Sequence, residues 1–390
     1  MHDAKRLVKE YDAGRQAILA HFRTAVKRCL ASARSKRACF LFLLLMISPI
    51  GCVSPQRETI SQEQAVSFRE DAIAFLCKAA LSDEPLLRMQ AIEAFQDVAP
   101  REGIAYLGEN LRNGYSGIRF AALMALGTIG DANFIEQIRT SAETSDANVR
   151  IAAIYALHRL GDRRRTGELA EMLLKSPDAR IRANAALAIG RLAEPQSAKV
   201  LHMALPREKK DVVKMQILEA LAMLGDTNGI ERLSFYGYSA VPDQAALSLM
   251  FLANARPAEA EELFRYRLDV ADHPEIKLQA ARGLGRLGYD SGMDTALAYL
   301  FFNSPDRKRQ NDPPEQQIVR IRALSALALE AIGRPDALGP LRRAFDQPGQ
   351  PDLVRIAIAR AAIWIIDHRP DSPRLNHATR RASAEPEELP

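Results

Sequence analysis

The chain has 390 residues, 47% hydrophobic and only 6% aromatic, which suits close helix packing and argues against a β-sandwich or barrel. Its formal net charge of +5 is unevenly placed: residues 1–37 hold ten Lys/Arg and three Asp/Glu, a net of +7, residues 38–51 hold none, and the remainder carries +5 − 7 = −2. A nearly neutral body has no electrostatic footprint for nucleic acid, so the sequence excludes that partner.

The first element is the leader. Lys36-Arg37 precedes an uncharged run, 38–53, of 16 residues. As a helix this run would span about 24 Å, short of the roughly 30 Å hydrocarbon core, and with its basic flank it has the pattern of a secretory signal. Its end resembles the lipobox of bacterial lipoprotein signal peptides. Gly51 matches the small residue before the cleavage point and Cys52 matches the residue that is lipidated, while Pro49 stands where that motif has Leu. The resemblance implies lipid anchoring at Cys52. An uncleaved signal anchor and an ordinary buried helix are the other two readings of the same residues. Either membrane reading puts the body beyond the membrane, in a bacterial cell envelope and facing the periplasm or exterior. Residues 52–66 then read as a polar tether. The other cysteines, Cys29, Cys39 and Cys77, show no metal spacing and no disulfide framework.

From residue 67 to 368 the chain repeats itself. Val149-Arg150-Ile-Ala-Ala-Ile-Tyr-Ala-Leu-His-Arg-Leu-Gly-Asp162 is echoed around Arg119, Arg182 and Lys214, and again at Arg88, Lys277, Arg322 and Arg355. Successive basic positions are 31, 31, 32, 32, 63, 45 and 33 residues apart. The gap of 63 hides a degenerate unit near 242–254, and the gap of 45 is one unit plus an insertion. About nine units result. The pattern resembles the HEAT-like repeats also seen in phycobilin lyases, which implies an all-α solenoid of helical pairs. Within a unit, Val149, Ala153, Ala156, Leu157 and Leu160 fall at helical spacing. Gly161 ends the helix in a left-handed conformation, and Asp162 is placed to cap the next one. Asp146, Asp178, Asp211 and Asp352 are expected to cap the first helix of their units. The recurring Arg and Lys read as a structural ladder paired with those acids. No pair buries its apolar stripe alone, so the units are expected to stack into an elongated spine with polar caps at both ends.

Departures from the repeat mark candidate binding residues. Arg163 and Arg164 open the second helix of their unit, and in HEAT-like families that helix lines the concave face. Phe235, Tyr236 and Tyr238 lead a stretch, 235–302, that holds ten of the 24 aromatics. Arg307, Lys308 and Arg309 lie in a polar, Pro-containing insertion, 303–317, which reads as a loop. Residues 369–390 read as a disordered tail.

Catalytic chemistry is not legible. The seven His residues form none of the His-Glu pairs through which HEAT-like deoxyhypusine hydroxylases hold iron, and no phosphate loop, dinucleotide fingerprint or nucleophile elbow occurs. The sequence therefore points to no metal, no cofactor and no enzyme. It points to a membrane-anchored scaffold that binds a protein or peptide. The resemblance to phycobilin lyases implies a second reading, a small-molecule-binding or lyase-like protein. Contact of the basic insertion with an envelope polymer is a third.

Overall fold

The computed structural model describes residues 57–306 and 312–368. They form 18 α-helices: α1 (Gln62–Ala79), α2 (Pro85–Val98), α3 (Pro100–Asn110), α4 (Ser116–Ile129), α5 (Ile135–Ala142) and α6 (Ala147–Arg159). There follow α7 (Gly167–Lys175), α8 (Ala179–Leu192), α9 (Ala198–Ala204), α10 (Asp211–Met223), α11 (Thr227–Gly237) and α12 (Pro242–Ala255). The last six are α13 (Glu261–Val270), α14 (Pro274–Arg286), α15 (Met293–Leu300), α16 (Pro314–Ile332), α17 (Leu338–Phe345) and α18 (Asp352–Asp367). The even-numbered helices are the repeating motif, including the degenerate unit, which is α12. The all-α solenoid expected from the spacing is the fold.

Small residues in the motif set the packing. A methyl placed on Gly127 would lie 2.6 Å from the Cα of Ala156, and one on Gly190 would lie 2.7 Å from the Cα of Ala220. On Gly285 it would meet the backbone of Ala331 at 2.7 Å. Each glycine thus lets one motif helix rest directly on the next. The short connections reverse the chain at every step, so alternate helices run parallel.

The elongated spine with polar caps is not what forms. Each even helix packs on the even helices before and after it, and α18, the last, packs on α2, the first. The nine motif helices make a closed inner ring. The odd helices lie outside, and α1 fills the outer slot between α18 and α2. The chain's two ends thus complete one another. Phe68 of α1 sits edge-on against Phe345 of α17, with ring centroids 5.6 Å apart. Arg69 reaches Asp367 of α18 at 2.7 Å and Glu102 of α3 at 2.7 Å. Both end regions share one apolar cluster that runs from Ala65 and Phe68 to Ile358 and Ile363. The physical reason is visible in α18, which buries ten residues, among them Val354, Ile356, Ile358 and Ile363. A helix apolar on nearly every side has no face to offer as a polar cap and must be covered.

Two expected boundaries shift. The array begins at Gln62, where Ser61 and Gln64 form a reciprocal cap, and not at 67. Part of the expected tether is bound to the body: the Glu58 N–H donates to the Asp336 carbonyl (2.9 Å) and the Gly339 N–H donates to the Glu58 carbonyl (3.0 Å). At the far side, the insertion is shorter than expected because α16 starts at Pro314. Gln317, buried, ties its base by accepting from the Asp306 N–H and donating to the Asp306 and Asp312 carbonyls.

Capping follows the sequence in part. Asp146 and Asp178 cap α6 and α8 as expected. Asp211 and Asp352 instead lie inside the first turns of α10 and α18, where they pair with Lys214 and Arg355. Asp162 does not cap α7, which starts later, at Gly167. The basic ladder has a more regular partner than the acids. Arg119, Arg150 and Arg182 each donate to the carbonyl six residues before them, at Asn113, Thr144 and Ser176, over 2.7–3.0 Å. Each guanidinium therefore clamps the connection that leads into its own helix.

Phe68 is fully buried in the seam, so Phe68→Ala is expected to cost about 3–5 kcal/mol, read from the urea midpoint. A loss below about 1 kcal/mol would show that α1 is not docked on α17 and α18 in solution. At the ends of α4, α6, α10, α14 and α16 a glycine holds the left-handed conformation, but Ala193 holds it after α8 at φ 56°. Ala193→Gly is therefore expected to raise stability by about 1 kcal/mol, again by urea titration.

Candidate functional site

The aromatic stretch divides by burial. Phe251 and Phe264 enter the core, and Phe264 fills the space beside Gly283. Phe235 and Tyr238 face out, 77% and 53% exposed. The local cause is the face of α11: it buries Ile230, Leu233 and Gly237, which leaves 235 and 238 on the opposite side. Tyr236 is half-buried and packs against the core. Tyr238 meets Tyr266 of α13 with ring centroids 5.6 Å apart, and Val270, one turn on from Tyr266, is also exposed. The outer helices α11 and α13 therefore present a contiguous apolar face. Large aromatics held open on a rigid element are what binding hot spots use.

Arg163 and Arg164 lie elsewhere, on the turn between α6 and α7. Arg164 grips Asp162 with two bonds of 2.9 and 2.6 Å and pulls that carboxyl down to about 2, and Arg163 is 3.5 Å from Glu194. Neither lines the interior. The expectation that the second helix of each unit forms the concave surface is reversed here, because the motif helices form the ring and the second helices its outer layer. Cys52, Arg307, Lys308 and Arg309 lie outside the described residues.

Closure creates a site that the sequence did not announce. The ring encloses a lumen of about 460 Å³ lined only by motif helices: α2, α8, α10, α12, α14, α16 and α18. Leu86, Val319 and Leu353, near the helix starts, give one end an apolar wall, while Arg191, Arg282 and Arg286, near the helix ends, gather at the other. Helix C-termini carry partial negative charge, which favours cations there.

The charges are ordered. Glu330 of α16 has a side chain only 4% exposed and receives Arg360 of α18 at 2.6 Å, with Arg286 of α14 at 3.5 Å. Arg360 also reaches Asp97 of α2 at 2.8 Å, so the network crosses the ring's seam. Arg282 donates to Asn254 at 3.1 Å, and Asn254 donates to Glu219 at 2.9 Å. Burial, aided by Arg286 and Arg360, lowers the Arg282 guanidinium to about 10. Burial also pushes the Glu93 and Glu219 carboxyls up. The Nε atoms of Arg282 and Arg286 have no hydrogen-bond partner.

A signal for this site exists in the repeat. Arg191, Met223, Asn254 and Arg286 each stand two residues before the left-handed residue that ends their helix: Ala193, Gly225, Arg256 and Gly288. Aligned on that residue, they form one layer facing the lumen. Counted from the basic ladder the register is the same, since Arg191, Met223 and Arg286 each stand nine residues after Arg182, Lys214 and Lys277, but the ladder itself does not show which face of the helix turns inward.

His158 is structural. It is buried, with Nδ1 2.8 Å from the Thr166 hydroxyl and Nε2 3.2 Å from Glu194, and burial lowers its pKa.

Because Glu330 is the hub of a buried ionic network, Glu330→Gln is expected to cost about 3 kcal/mol in urea denaturation, since it strands Arg360 and Arg286. A neutral result would show that Asp97 alone satisfies the network.

Residues 104–173 and 166–234 match the family model of HEAT repeats. Among solved structures, human deoxyhypusine hydroxylase in complex with glycerol is similar at 16% identity, over 79% of this chain and 100% of that one, with a TM-score of 0.32. The complex of CpcE and CpcF of phycocyanin lyase from Nostoc is similar at 18% identity, over 66% and 93%, with a TM-score of 0.36. An engineered protein is similar at 17% identity, over 76% and 98%, with a TM-score of 0.27. A search of curated proteins finds no match. With helical pairs from the first described helix to the last, the described residues form an all-α solenoid, of which residues 104–234 match the family model of HEAT repeats.

Proposed function

We propose that this protein is a non-enzymatic scaffold of the bacterial cell envelope, anchored to a membrane through a lipid on Cys52, that holds a protein or peptide on the outer face of α11 and α13. The observation that carries the reading is the exposure of Phe235, Tyr238, Tyr266 and Val270 together on two rigid outer helices. Phe235, 77% exposed, is the most exposed large apolar side chain among the described residues, and its neighbours extend the apolar area left in water. A partner that buries it gains about 25 cal/mol per Å² removed from water. Arg265, stacked 4.5 Å over Tyr289 and paired with Glu261, supplies a polar rim beside it.

The test is photo-cross-linking from position 235 in envelope-bearing cells that produce the chain. A discrete protein adduct is expected. The double variant Phe235→Ala, Tyr238→Ala is expected to weaken recovery of that partner about ten-fold or more with the melting curve unchanged. Smeared labelling with no discrete adduct would count against the scaffold. Intact-mass measurement of the membrane-extracted chain checks the anchor: it is expected to start at Cys52 and carry added acyl mass.

A further inference from the structure

The lumen plays no part in the outer-face reading, and its chemistry is specific. Along α2 the wall runs from Leu86 to Asp97, eleven residues further on and about 16 Å along the helix. Its character changes over that length, from aliphatic to ionic. At the ionic end the acids are already engaged. Asp97 and Glu330 hold Arg360, Glu219 is held by the Asn254 and Gln216 amides, and Glu93 accepts from Gln90. The guanidinium donors are not all engaged. Arg191 has no hydrogen bond or ion pair among the described residues, Arg282 makes one bond, to Asn254, and Arg286 has only the 3.5 Å approach to Glu330. The unpartnered Nε atoms of Arg282 and Arg286 add to that deficit. Enclosed polar groups without partners are rare in folded proteins and call for an explanation. A guanidinium presents a planar fork of donors that matches a carboxylate or phosphate.

We propose that the lumen binds a single-chain anionic amphiphile, with its carboxylate or phosphate head between Arg191, Arg282 and Arg286 and its alkyl chain along Leu86, Val319 and Leu353. The volume of about 460 Å³ lies within the range of small-molecule sites. A bare anion would leave the aliphatic end unfilled, and an uncharged or cationic chain would leave the guanidinium forks unmet. The closed ring is what permits such a site, since Arg191 comes from α8 and the aliphatic wall from α2, α16 and α18, which lie across the ring from it.

The test uses the full chain in phosphatidylcholine vesicles with a fatty acid that carries a photoreactive diazirine in its tail. Labelled peptides are expected to come from α2, α16 and α18. Laurate or dodecyl phosphate is expected to compete, and the more effective of the two identifies the head group. Dodecyltrimethylammonium, which has the same tail with a cationic head, and inorganic phosphate are expected to compete about ten-fold less or worse. Arg191→Gln, at an exposed and unpaired residue, is expected to cut labelling about ten-fold with the melting curve unchanged. Ala323→Phe, which places a ring in the aliphatic half, is expected to block labelling. Equal competition by the cationic amphiphile would overturn recognition by the arginines. Equal competition by inorganic phosphate would reduce the site to a bare-anion site and overturn the amphiphile. Labelling confined to outer helices, or unchanged in both variants, would place the ligand elsewhere and overturn the proposal.

Discussion

Close backbone contacts between motif helices are what the rest of the structure depends on. Where Gly127 meets Ala156, Gly190 meets Ala220 and Gly285 meets Ala331, no larger side chain fits. The helix axes are drawn together on the inner side, while the bulkier outer helices hold them apart on the other. A small rotation is thereby imposed at every step. Over nine steps the rotations sum to a full turn, and the first and last helices arrive side by side.

Closure changes the energetics of the ends. In an open array the terminal repeats lose one neighbour each and need polar faces. Here α1 supplies the outer layer that α18 lacks, and Phe68, Phe345 and the isoleucines of α18 bury one another. The link is reinforced by polar contacts of long sequence separation, Arg69 to Asp367 and Arg360 to Asp97. These join parts of the chain that no local segment can bring together, so they form only when the whole ring does.

The same geometry separates two kinds of surface. The outer layer is built, α1 apart, from helices of 7 to 11 residues, and its outward side chains are left in solvent because only one face is packed. It is there that Phe235, Tyr238 and Tyr266 are carried into solvent. The inner layer is enclosed, and its side chains meet those of helices far away in sequence. In that setting a charge is costly unless it is paired, which is why Glu330 bridges two arginines and why the unpartnered Nε atoms of Arg282 and Arg286 are conspicuous.

By itself the sequence determined the unit: the length of the step, the glycine that ends five of the nine motif helices, the caps at Asp146 and Asp178, and the degenerate helix of α12. These follow from contacts within some thirty residues, and a period in the chain records them directly. It also singled out the aromatic stretch, though not which of its rings would be buried. Only the tertiary structure decided that the array closes, that the motif helices face inward, and that Arg163 and Arg164 stay outside while Arg191, Arg282 and Arg286 converge. The rotation per repeat is set by many small packing differences and is written in no single unit, yet its sum determines which residues, hundreds of positions apart, share one cavity.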